Sequence, residues 1–421
     1  ASWDYEEIGS SGALRFTRDG SGLYCLDSRG SNAGQLVRIS TADSSVQVIA
    51  GDPRYDIVQA FLQIDTYEIQ AVAFAREHIE WTVLDSTLAK DFAVLARLDR
   101  GDFEFESGDA SDSTWVVGYN HDDGAMTYYT YSRKTGQGSY LFDEIPALKP
   151  YTLARMEPIS FRARDGLEIH GYLTCPPGAK PRNLPLVVRV HGGPWSRDYW
   201  GYNPEVQWLA NRGYACLQVN FRGSRGYGKE FLHAGNRELG GKMEDDLVDG
   251  ARWAVERGTA SPKRLAVFGT GYGGYAVLSA ATEHPGLFAC GVDVSGPPDL
   301  IGWVGALSAS WGGASPVLFK RVGDPRADAD FLRSRSPLFM AERITTPLMI
   351  SQGGKDPYVP AADVERIVAA LKANGTPNVY LYFADEGPGI YRPPNRLKFW
   401  EAAEKFLAEY LGGRSAQSAR H

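Results

Sequence analysis

The sequence predicts a chain in two parts: an all-β segment with propeller-like grammar up to about residue 150, then a mostly parallel, doubly wound α/β sheet. Three observations carry that prediction. The chain has 421 residues, beyond the roughly 250–300 that a single hydrophobic core serves. Its first part alternates apolar and polar residues in short runs between turn residues, and its second part alternates continuous apolar runs with helical stretches.

In the first part, Gly22–Asp27, Leu36–Ile39 and Val46–Ile49 read as strands because alternation with Asp-Gly and Gly-Ser breaks marks antiparallel hairpins. The phrase returns more weakly at Ser111-Asp112, Trp115–Tyr119 and Tyr128–Tyr131. A repeat in the forties of residues per four strands suits propeller blades. About three blades fit, and a closed propeller needs about four to eight. The expectation is therefore a partial β-propeller over 1–150, with missing blades or a second polypeptide completing it. An irregular β-rich domain is the alternative.

From about residue 151 to 413 the expected strands are Leu186–Val190, Ala215–Val219, Leu265–Phe268, Gly291–Val294, Leu348–Ile350 and Val379–Phe383. Continuous apolar runs of this length fit a sheet covered on both faces. Helices are expected at Asp246–Glu256, Tyr275–Glu283 and Ala361–Ala373, with a last amphipathic one from Leu397 to Leu411. The Arg392-Pro-Pro394 stretch reads as a stiff lead into that helix, and 414–421 as a tail.

Composition bounds the function classes. Hydrophobic residues make up 43% and charged residues 23%, with a formal net charge of −7, which fits a soluble globular protein and gives no electrostatic reason to approach nucleic acid. No apolar run reaches the ~18 residues of a membrane span, so no membrane insertion is expected. Cys25, Cys175, Cys216 and Cys290 are widely spaced and read as free thiols, which favours a cytoplasmic compartment. No Cys/His cluster suggests a metal, no Walker lysine follows the glycine turns, and no cofactor is expected. The start at Ala1 reads as a fragment or a processed product.

The segment Leu265-Ala-Val-Phe-Gly-Thr-Gly-Tyr-Gly-Gly-Tyr275 is a strand, a tight glycine turn and a helix start. Hydrolases use such a turn, G-x-S-x-G, to expose a serine. Here it reads Gly269-Thr270-Gly271-Tyr272-Gly273. Val190-His-Gly-Gly-Pro194, Asn220-Phe-Arg-Gly-Ser-Arg-Gly-Tyr-Gly228, Gln352-Gly-Gly-Lys-Asp-Pro357 and Asp385-Glu-Gly-Pro-Gly389 accompany it. Together, from about residue 156 to 413, these segments resemble serine peptidase family S9, the prolyl oligopeptidase and acylaminoacyl-peptidase group. That resemblance implies an α/β-hydrolase fold behind a propeller.

Carried over position by position, the resemblance puts the triad acid at Asp356, the nucleophile at Gly271 and the base at Pro388, where the family's loop would read D-E-G-H-G. Gly271 has no side chain to attack a carbonyl, and Pro388 has no ring nitrogen to take a proton. Thr270 and Ser279 are poorly placed as substitutes, and no histidine lies near Pro388. His191 is expected to shape its loop, and His284 to end a helix. The implied oxyanion donors are the backbone N–H groups of Gly193 and Tyr272, which outlast side-chain loss. Trp195, Tyr199, Trp200 and Tyr202 are candidates for a pocket or equally for packing.

The expectation is a non-catalytic S9 homologue, a pseudoenzyme, binding a peptide or a protein partner in the relic cleft. Asp356 then keeps a structural role. Two alternatives stand beside it: water-mediated activity without the serine, and a structural subunit of a homo-oligomer or larger assembly.

Overall fold

The alternating half of the chain forms three antiparallel sheets in the computed structural model, which describes residues 2–5 and 7–415. Strands β1 (Gly12–Phe16), β2 (Gly22–Asp27), β3 (Gln35–Ser40) and β4 (Val46–Ala50) pair in chain order. Strands β5 (Ile57–Leu62), β6 (Ile69–Ala75) and β7 (Ile79–Val83) make a three-stranded sheet. Helix α1 (Ala89–Leu98) follows, then the sheet of β8 (Asp102–Gly108), β9 (Thr114–Asn120), β10 (Thr127–Ser132) and β11 (Gln137–Asp143). Four-stranded meanders are the blade grammar expected from the alternation.

Helix α1 was not expected, and the reason it forms is local. Asp85 caps the turn ahead of it by accepting from the Thr87 N–H at 2.9 Å. Phe92 and Leu95, three apart, bury one face in a cluster with Trp115, Tyr119 and Tyr131. The Tyr119 hydroxyl donates to the Leu95 carbonyl at 2.7 Å, and that of Tyr131 to Asp91 at 2.8 Å. The helix thus stands where a fourth strand of the middle sheet would fall in chain order.

The described chain divides into two units, one of Ala1–Met156 with Tyr199–Pro204 and Arg225–Leu232, and a second of Glu157–Asp198, Glu205–Ser224 and His233–His421. The two short excursions are tied to the first unit by hydrogen bonds. Trp200 Nε1 donates to the Met156 carbonyl at 3.2 Å, and the Asp56 N–H to the Gly226 carbonyl at 3.1 Å.

The second half is an eight-stranded sheet. Its strands are β12 (Met156–Arg162), β13 (Glu168–Thr174), β14 (Leu184–Val190), β15 (Ala215–Asn220), β16 (Ala260–Thr270), β17 (Cys290–Val294), β18 (Leu348–Gly353) and β19 (Asn378–Phe383). Their order is β12-β13-β15-β14-β16-β17-β18-β19, antiparallel between β13 and β15 and parallel from β15 to β19. Strands β15, β17 and β18 are buried at every residue, as their unbroken apolar runs require.

The connecting helices are α2 (Pro204–Asn211), α3 (Gly228–His233), α4 (Lys242–Glu256), α5 (Tyr272–Glu283), α6 (Leu300–Trp311), α7 (Ser315–Arg321), α8 (Ala329–Ser334), α9 (Ala361–Ala373) and α10 (Pro393–Leu411). One face of the sheet packs Val187, Phe268, Val292 and Met349 against Leu209 of α2 and Phe399, Phe406 and Leu407 of α10. All four cysteines are free thiols; Cys25, Cys216 and Cys290 are buried, and Cys175 is half-buried.

Three helix starts differ from expectation. Helix α4 begins at Lys242 and α5 at Tyr272, each one turn earlier than the apolar pattern signals, because glycine and acidic residues in a first turn carry no apolar period. Helix α10 takes Pro393 and Pro394 into its first turn instead of being led by them. Proline is tolerated there because first-turn N–H groups have no helical partner. Of the expected tail, 416–421 lies outside the described residues. No helix among the described residues is long and apolar enough to cross a membrane.

Candidate active site

Strand β16 ends at Thr270, the chain turns at Gly271, and α5 starts at Tyr272. Gly271 holds φ 60° and ψ −117°, a region costly for residues with a side chain. Its N–H donates to the Val294 carbonyl at 2.9 Å. The three glycines differ in what surrounds them. A Cβ on Gly269 would overlap the backbone of Gly273, and one on Gly273 would overlap the carbonyl of Val190. A Cβ on Gly271 would meet no heavy atom within 4 Å. Crowding therefore enforces the flanking glycines, whereas the apex has room for a side chain it lacks.

The Val190–Pro194 loop lies directly against this turn. A Cβ on Gly192 would come within 3.4 Å of the Thr270 carbonyl. Gly193 takes φ 125°, which brings its amide plane past a turn closed to other residues. Tyr272 opens α5, so its N–H has no carbonyl within its own helix. Both implied oxyanion donors thus border the elbow. His191 is buried and committed to the loop, with Nε2 3.0 Å from Ser224 Oγ, Nδ1 2.8 Å from the Gly192 carbonyl, and its ring stacked on Phe221. Burial pushes its pKa down.

The Gln352–Pro357 and Asp385–Gly389 segments, to which the resemblance assigns the acid and the base, are packed together at the ends of β18 and β19. A Cβ on Gly353 would overlap the Gly387 carbonyl, and the Lys355 N–H donates to the Glu386 carbonyl at 2.7 Å. Asp356 Oδ1 accepts from the N–H groups of Tyr358 at 2.8 Å and Val359 at 3.1 Å. Its Oδ2 is buried with no hydrogen-bond partner. Burial pushes the Asp356 pKa up, against the pull of those two N–H groups and of the Gln352 side chain beside it, whose amide is committed to the Gly353 and Val359 carbonyls. Pro388 is exposed and offers the carboxylate nothing.

The four aromatic candidates separate. Trp200 is buried in the first unit, its ring 4.4 Å from that of His78. Tyr199 is half exposed and lines a small pocket with Arg225 and Ile57, and Tyr202 is half-buried. Trp195 alone belongs to the unit of the elbow, set edge-on to Trp311 with the Arg321 guanidinium over its ring.

Several residues at or under this site escaped the sequence reading. Asp293 lies buried beneath the elbow, its Oδ1 accepting from the Gly296 N–H at 2.8 Å and its Oδ2 without a partner. An acid inside the apolar run Gly291–Val294 was the available signal. Arg222, from the segment after β15, makes paired bonds to Asp246 at 2.9 and 2.8 Å and to Asp165 at 2.8 and 3.0 Å, a buried fork that anchors the segment. Beside Thr270 and Gly389 opens a pocket of about 420 Å³ that also takes in Arg396, Phe399 and Trp400 of α10. Among the described residues no group of three His, Cys, Asp or Glu side chains could hold a metal ion.

Comparison with known proteins agrees with this architecture. The profile of the Prolyl oligopeptidase family matches residues 200–414. The chain is 40% identical over 420 residues to Dipeptidyl aminopeptidase BIII of Pseudoxanthomonas mexicana, covering 98% of this chain and 61% of that protein. It is 36% identical over 426 residues to Dipeptidyl peptidase family member 6 of Caenorhabditis elegans, covering 95% and 58%. A puromycin-hydrolyzing peptidase of Mycobacterium tuberculosis superposes with a TM-score of 0.80 at 24% identity, covering 96% of this chain and 62% of that one. The chain therefore spans about three fifths of these relatives, and its fold is an α/β hydrolase preceded by a propeller-like all-β segment.

Proposed function

We propose that this chain, which belongs to the prolyl oligopeptidase family, binds peptides beside its elbow without hydrolysing them. The observation that carries this reading is the pairing of Gly271, where nothing lies within 4 Å of an added Cβ, with Asp356 Oδ2, buried and unpartnered. On the family's pattern the first is the place of a nucleophile and the second faces the place of a base. Acyl transfer at such a site needs an oxygen or sulfur nucleophile at the apex and a group to take its proton. Neither Gly271 nor Pro388 supplies one. The backbone donors and the elbow are independent of those side chains, so the site keeps its capacity to hold a carbonyl or carboxylate oxygen. Loss of triad members leaves about 10³–10⁴-fold acceleration over water, far below an intact enzyme.

The N-terminal unit, read as an incomplete propeller over 1–150, is the part through which a protein partner or a second copy would attach in this reading. The relatives named dipeptidyl peptidases suggest short peptides as the ligands of the elbow.

The test is gain of function. The purified chain should neither turn over chromogenic dipeptidyl and acyl-peptide substrates nor label with a fluorophosphonate. The double variant Gly271→Ser with Pro388→His should do both, because the added side chain has space at the apex and the family's pattern pairs Asp356 with a histidine at the place of Pro388. Turnover by the unmodified chain that disappears in Asp356→Ala would sink the reading.

A further inference from the structure

The pocket beside the elbow carries an inference that rests on the non-catalytic binding reading and names its ligand more closely. It is assembled from Glu205 at the start of α2, Thr270 at the end of β16, Val294 at the end of β17, the loop after Gly389, and one face of α10. Its volume of about 420 Å³ suits one or two amino-acid residues, since small-molecule sites run from roughly 300 to 1,000 Å³.

The walls are aromatic and fixed. Trp400 stacks parallel to Phe268 at 6.0 Å and meets Phe399 at 5.1 Å and Trp208 at 4.6 Å. A ring held on three sides presents a preformed apolar surface and loses little freedom on binding. The Tyr391 ring is folded back over Gly389, where a Cβ would sit only 3.0 Å from it.

The pocket is lined by one paired acid and one unpaired cation. Glu205 Oε2 accepts from Arg189 Nε at 2.6 Å, and the same guanidinium donates to Asp198 at 2.7 Å, so Glu205 is tied into an ion-pair network away from Arg396. Arg396 is exposed, and among the described residues no carboxylate lies within ion-pair distance of its guanidinium. One uncompensated cation on an apolar, aromatic wall recognises an anion that carries an apolar group.

We infer that this pocket binds the carboxyl-terminal residue of a short peptide, its apolar side chain against Trp400 and Phe399 and its free carboxylate on Arg396. Thr270 and Gly389 flank Gly271 and Pro388 in sequence, so the preceding peptide unit lies next to the elbow. A ligand held by its terminal carboxylate in this way needs no reaction to be retained.

Titration calorimetry on the whole chain with N-acetyl-Ala-Phe as free acid and as amide tests this. The acid should bind about tenfold more tightly than the amide. Arg396→Gln should remove that difference and Arg396→Lys should keep most of it; Arg396 is exposed, and matching thermal melts establish that both variants fold. Equal affinity of acid and amide, an undiminished preference in Arg396→Gln, or binding of neither would overturn the inference. Release of phenylalanine during the titration would count against the non-catalytic reading and leave the acid-to-amide comparison intact.

Discussion

Asp293 is buried beneath the elbow with Oδ2 unpartnered, so its titration is coupled to folding. Burial pushes its pKa up to about 8, with one N–H from Gly296 pulling the other way. In the unfolded chain the same carboxyl titrates near 3.8. A raised acid favours the folded state only while it stays protonated. Its contribution is therefore complete below about pH 4 and is lost as pH rises through about 8. Thermal melts between pH 4 and 8 should show the midpoint falling with pH, and Asp293→Asn should flatten that slope. A slope unchanged in the variant would place the pH dependence elsewhere. Asp356 shifts in the same direction for the same reason, its Oδ2 buried and unpaired.

At the scale of the element, the elbow separates glycines that the backbone requires from one that it does not. Alanine at Gly273 must displace the carbonyl of Val190, and alanine at Gly269 must displace the first turn of α5. Either substitution forces two segments apart, and a loss of more than about 3 kcal/mol in urea unfolding is expected. Alanine at Gly271 meets open space and pays only the backbone strain of φ 60°, about 1–3 kcal/mol. Similar losses at all three positions would contradict this division.

At the scale of the whole molecule, two large apolar clusters among the described residues share no residue. One gathers Trp115, Phe92 and Tyr119 around α1; the other lies between the parallel sheet and α10. Trp115 is 1% exposed and touches Phe61, Phe105 and Tyr131 at ring separations of 5.2–5.8 Å. Trp115→Ala should cost about 3–5 kcal/mol. Hydrogen exchange should accelerate in β5–β11 and leave β14–β18 protected, because each unit buries its own apolar surface. Uniform loss of protection would show that the two cores melt together.

The sequence by itself determined the architecture and the elbow, with glycine at 271 and proline at 388. These features are local: five residues around Gly271 and five around Pro388 carry them, and a change of residue type is visible without any folding. Strands β14 to β19 were equally legible, since burial on both faces writes unbroken apolar runs. Helix α1 was not legible, because a ten-residue amphipathic stretch inside a β-rich run has a weak period of its own and is held by Tyr119 and Tyr131 from later strands. The pocket at Arg396 was decided by tertiary structure alone. Glu205, Thr270, Val294 and Arg396 are far apart in the chain and meet only where the ends of β16 and β17 converge with α2 and α10. Whether Arg396 has a partner, and whether Asp356 Oδ2 has one, are facts about neighbours in space, which no local pattern encodes.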